Sequence, residues 1–145
     1  MADLHFYFDP VCPFAWMTSR WVRTVAARRE YDVDWRFISL RLLNAHVDYD
    51  SHFPPEYEAG HTAGLRLLRV AARTREEHGR AAVGTLYETL GRHVFEDPAG
   101  QPPPERATSR AFLDQVLGEA GLPTELGAAV DDDGWDGVVQ AESRA

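Results

Sequence analysis

Residues 3–16 read Asp3-Leu4-His5-Phe6-Tyr7-Phe8-Asp9-Pro10-Val11-Cys12-Pro13-Phe14-Ala15-Trp16, and the fold turns on this stretch. Leu4, Phe6 and Phe8 alternate with His5 and Tyr7, the period of a strand. Aromatic side chains on both faces suit a strand covered on two sides. Asp9-Pro10 breaks the pattern. Cys12-Pro13-Phe14-Ala15 then opens a helical stretch that runs to Arg29. Pro13 suits the first helical turn, where a missing N–H costs nothing. Phe14, Met17, Trp21 and Val25 recur at helical spacing and predict a core-facing stripe. Arg28 and Arg29 close the helix where positive charge is favoured.

Outward from there, residues 32–40 alternate again, with Val33, Trp35 and Phe37 on one face. Strand, helix and strand in close succession predict a βαβ unit, two parallel strands joined by a right-handed crossover. Residues 41–55 read as a loop that carries Asn44, His46 and Pro54-Pro55. The remainder reads as helical, over 62–78 with Gly79 as its stop, then 81–95, 109–120, a short piece at 123–130, and 135–145. A Pro/Gly loop at 97–104 and an acidic turn at 131–134 separate these. The expected fold class is α/β.

Apolar residues make up 44% of the chain, enough for a core. A net charge of -8 argues against a nucleic-acid partner. All 15 basic residues are Arg, so lysine chemistry such as Schiff-base formation is excluded. No apolar run approaches the roughly 18 residues of a membrane span. The opening Met1-Ala2-Asp3-Leu4-His5 lacks the basic region of a secretory leader, which makes the cytoplasm the default location. The histidines show no metal-ligand spacing, and no metal site is expected.

Cys12 is the one cysteine. A strand delivers it to a helix N-terminus, where unpaired N–H groups and the helix dipole stabilise an anion. The thiolate is the nucleophile in disulfide exchange and in attack on electrophiles. A buried, inert cysteine is the alternative, and the place before Pro13 favours reactivity. With one thiol, any redox role uses a partner thiol or a second chain. Phe14 and Trp16 flank the turn as an aromatic wall for a flat substrate, or as core. Asn44 follows the second strand and reaches the same end of the sheet as Cys12. There it either bonds a substrate or thiol cofactor, or forms a turn. His93 and His61 are candidates to line a cleft between subdomains, or are surface residues.

Residues 6–21 resemble the opening of DsbA-like thioredoxin-fold oxidoreductases, most closely the mycothiol-dependent reductases of actinobacteria, a group that includes nitroreductases. Phe37-Ile38-Ser39-Leu40-Arg41-Leu42-Leu43-Asn44, His78-Gly79, Leu86-Tyr87, Leu90-Gly91 and Trp135-Asp136 are similar to further landmarks of that family. The resemblance implies a thioredoxin-like βαβ unit at 1–50, a helical insertion domain at 51–134, and the start of a return helix at 135–145. It implies Cys12 as catalytic residue within the motif Pro13, Phe14, Ala15, with Trp16, Asn44 and His93 toward the substrate. It also implies no tightly bound cofactor, mycothiol or a similar thiol as co-substrate, and a small electrophile or disulfide as substrate. The family motif is Cys-Pro-X-Cys, and Ala15 stands at its second cysteine, which leaves a monothiol mechanism. The C-terminal strand-strand-helix unit of the fold, with its cis-proline loop, is missing. Three expectations follow: a fragment, a chain completed by a partner segment, or a catalytically silent domain that pairs with another subunit; a homodimer is a separate expectation. A kappa-class thiol transferase or isomerase, in which Cys12 only orients a cofactor thiol, is the other enzymatic possibility.

Overall fold

The first strand, β1 (Leu4–Phe8), pairs in parallel with the second, β2 (Val33–Phe37), in the computed structural model, which describes residues 2–144. Phe6 lies opposite Trp35 and Phe8 opposite Phe37, so the two alternating patterns share one apolar face. Edge-to-face aromatic pairs cross the strands at ring separations of 5.5 and 6.0 Å. Contrary to the expectation from Tyr7, the other face is polar. His5 is exposed there, and the buried Asp34 takes a 2.8 Å hydrogen bond from Arg36. The molecule is α/β, mostly helical around this small two-stranded parallel sheet.

Helix α1 (Pro13–Arg29) forms the crossover, but its buried face is not the one its apolar spacing predicts. Trp16, Ser19 and Val22 are buried, while Phe14, Met17 and Trp21 are 78, 69 and 66% exposed. Partners made the choice. Trp16 enters a gap at Gly91, where a Cβ would overlap the indole ring. Its ring stands edge-on to Tyr87 and stacks on Phe95. Its N–H donates to Glu96 at 2.9 Å.

Residues 41–55 fold into two short helices where a loop is expected, α2 (Leu40–Leu43) and α3 (Tyr49–His52). Each begins at a capping side chain, Ser39 bonding Leu42 N–H and Asp48 bonding Asp50 N–H. Ser39 therefore ends the second strand's reach toward Leu40. Helix α4 (Glu56–His78) starts earlier than its apolar pattern, directly after Pro54-Pro55, with Glu56 and Glu58 in the first turn. Gly79, at φ +88°, ends it as expected and turns the chain into α5 (Arg80–Phe95). The expected loop over 97–104 gives way at its end to α6 (Pro104–Ala107). Helix α7 (Arg110–Glu119) follows, capped by Ser109. The piece expected near 123–130 is a 3-10 stretch (Thr124–Asp131), and the acidic turn continues as another (Asp133–Trp135).

The last helix, α8 (Asp136–Ser143), comes back to the sheet. Glu142 accepts the N–H of Phe37 at 2.9 Å, and Ser143 accepts the N–H of Ser39 at 2.9 Å. Its expected end at Ala145 lies outside the described residues. A continuous apolar core runs from Phe8 through Tyr87 to Val139, uniting the sheet with the helices. No helix among the described residues is long and apolar enough to cross a membrane.

Candidate active site

The chain leaves β1 at Phe8 and turns on Asp9, which is 1% exposed. One carboxylate oxygen of Asp9 accepts Val11 N–H at 3.0 Å, and the other accepts Leu40 N–H at 2.9 Å. The Asp9 carbonyl accepts Cys12 N–H at 3.0 Å. One residue thus shapes the cysteine turn and ties it to the start of α2. Burial pushes the Asp9 carboxyl up to about 6, against the two N–H groups that favour its anion. Gly64 of α4 is the floor beneath it, since a Cβ there would collide with the Asp9 carboxylate and Val11. The sequence shows Asp9 only as a strand breaker. Its place at the end of a buried strand, three residues before the cysteine, is the signal for a second role.

Cys12 is the N-cap of α1, and its Sγ accepts Ala15 N–H at 3.5 Å. Pro13 occupies the first helical position, where its ring fixes the backbone and removes no needed donor. The thiol is half-buried and opens on a cleft of about 390 Å³. Pro13 and Phe14 border that cleft from α1, Tyr57 and His61 from α4, and Pro102 and Pro104 from the segment leading into α6. The surroundings are largely apolar. Glu56 is the one carboxylate among the described cleft residues, and no arginine is among them.

Trp16, Asn44 and His93 lie outside this cleft. Trp16 is core, so the aromatic border of the cleft is Phe14 with Tyr57. Asn44 caps α2, its side-chain N–H donating to Leu40 carbonyl at 2.8 Å. His93 contacts Glu119 at 2.5 Å and stands edge-on to Phe112, outside the cleft. Of the two histidines weighed for a cleft, His61 is the one that borders the same cleft as Cys12. Its Nδ1 lies 3.0 Å from the phenol oxygen of the buried Tyr49, a partner the sequence does not announce.

Fold and site together define a single-cysteine α/β protein whose thiol sits at a helix N-terminus beside an apolar cleft. The chain belongs to the Rv2466c-like family, described as mycothiol-dependent nitroreductase Rv2466c, which matches residues 11–145. It is also 33% identical over 132 residues to uncharacterized protein Rv2286c of Mycobacterium tuberculosis (strain ATCC 25618 / H37Rv). That alignment covers 91% of this chain and 53% of the relative, so the chain spans about half the length of this curated relative.

Proposed function

We propose that the chain carries the nucleophilic half of a monothiol, thioredoxin-like oxidoreductase that uses mycothiol or a similar thiol. The observation that carries this is Cys12 Sγ at the N-cap of α1, accepting Ala15 N–H and facing an apolar cleft. A cysteine attacks as its thiolate. That thiolate attacks one sulfur of a disulfide substrate. A Cys12–substrate S–S bond forms as the old S–S bond breaks, and the leaving thiolate takes the electron pair and then a proton. With Ala15 at the position of a resolving cysteine, the second attack comes from the small thiol. It restores the Cys12 thiolate and departs in a new disulfide. Family membership supports mycothiol as that thiol.

The thioredoxin-like reading assigns 1–50 to the βαβ unit, 51–134 to a helical insertion and 135–145 to the returning helix. It also assigns the exposed Phe14, Met17 and Trp21 of α1, and the outer edge of β1, to contact with a further strand-strand-helix unit or partner. The decisive experiment is turnover and mass spectrometry with mycothiol and a mixed disulfide. Wild type should form a Cys12–mycothiol adduct that a second equivalent of thiol discharges, and Cys12→Ser should lose turnover. A Cys12→Ser variant that keeps turnover would overturn the nucleophile and leave the kappa-type role, in which Cys12 only orients the bound thiol.

A further inference from the structure

We infer that His61 is a hydrogen-bond donor that orients substrates beside Cys12, and that Tyr49 holds it in the donor form. The inference rests on Cys12 as the nucleophile of the cleft. His61 and Cys12 border the same cleft. Three aromatic rings surround His61, those of Tyr49, Phe53 and Tyr57, at 5.7, 5.6 and 5.6 Å, which fixes the plane of the imidazole.

Tyr49 sets which nitrogen of His61 carries the proton. Tyr49 is 6% exposed, and its burial pushes the phenol up, so it keeps its hydrogen. The Arg41 guanidinium lies 4.9 Å over the Tyr49 ring, and Nδ1 of His61, at 3.0 Å, is the one hydrogen-bond partner of the phenol oxygen among the described residues, so the phenol hydrogen is assigned there. Burial and the charge of Arg41 lower the His61 pKa, so the ring is neutral. A neutral imidazole that accepts at Nδ1 carries its hydrogen on Nε2. Nε2 has no hydrogen-bond partner among the described residues. The ring therefore offers one N–H to the cleft. Glu56 on the same border disfavours anionic ligands, so the matching substrate atom is an uncharged acceptor such as a carbonyl oxygen on a flat ring.

Two thiol-reactive probes separate this role from the role of Cys12. With N-phenylmaleimide, the Cys12 thiolate forms an S–C bond as the C=C π pair moves toward a carbonyl oxygen, and solvent then supplies a proton. With benzyl bromide, an S–C bond forms as C–Br breaks, and bromide leaves with the pair. Both probes are aromatic, and only the maleimide presents acceptor oxygens. His61→Ala in the full chain should slow maleimide labelling about tenfold, as the loss of one hydrogen bond does, and leave benzyl bromide within twofold. His61→Gln, which returns an N–H near the Nε2 position, should recover most of the maleimide rate. Tyr49→Phe should slow the maleimide by an intermediate factor with the His61 ring in place. Equal effects of His61→Ala on both probes, or none on the maleimide, would overturn the inference. Labelling of wild-type Cys12 no faster than free cysteine at the same pH would instead overturn Cys12 as an activated nucleophile, and the ratio of the two probes would still read the role of His61.

Discussion

Asp9 concentrates two demands that conflict. Its carboxylate oxygens serve the N–H groups of Val11 and Leu40, which favours the anion, while burial favours the neutral acid and wins. The native carboxyl titrates at about 6, against 3.8 unfolded. The folded state thus binds its proton more tightly than the unfolded state does. Stability from this group is full below about pH 4 and is lost as pH rises toward 6, by about 3 kcal/mol at most. Asp9→Asn should remove that slope, because an amide does not titrate. It should also leave one of the two N–H groups facing an amide N–H, so the variant should gain nothing at acid pH. Urea unfolding of both proteins at pH 4.5, 6 and 7.5 checks this. An identical slope in the variant would place the titration elsewhere.

At the scale of the element, α1 presents two apolar rows of which the fold buries one. The exposed row, Phe14, Met17 and Trp21, is the more hydrophobic by composition, and the buried row includes Ser19. Ser19 is tolerated because its hydroxyl bonds the Trp16 carbonyl at 2.7 Å. The fit of Trp16 at Gly91 and its bond to Glu96 outweigh the periodicity. Trp16→Ala should therefore cost about 3–5 kcal/mol. Met17→Ala and Trp21→Ala should each stay within about 0.5 kcal/mol of wild type. Chemical denaturation of the three variants decides it. A large loss at Trp21 would mean that its row is covered in solution.

Across the whole molecule, the parts that were legible in the sequence are those whose evidence is local. Alternation along Leu4 to Phe8 and Val33 to Phe37 reads directly as paired strands, because a period of two needs no distant partner. Cys12 before Pro13 at a strand-to-helix turn is likewise a local signal. What stayed hidden depends on contacts between distant segments. The choice of face on α1 rests on Gly91 and Glu96, and the value of Asp9 rests on Leu40 and Gly64. His61 differs from His93 only through what α3 and α7 bring to each. The short helices α2 and α3 were local, and their caps Ser39 and Asp48 were readable, but the prolines and polar residues around them look like loop.

The longest-range of these contacts sets how the chain closes on itself. Glu142 of α8 takes the Phe37 N–H on one oxygen and the Arg75 guanidinium on the other, joining β2, α4 and the last helix through one carboxylate. Phe37 is fully buried, so its N–H has no route to water once that oxygen is gone. Glu142→Ala should strand this N–H and leave Arg75 without its carboxylate partner, costing about 2–4 kcal/mol. Glu142→Gln keeps one acceptor oxygen and should recover part of the loss. The loss should appear in both far-ultraviolet circular dichroism and tryptophan fluorescence at one midpoint, because the apolar core from Phe8 to Val139 is continuous. Separate midpoints in the variant would show instead that α8 detaches while the sheet and α4 remain folded.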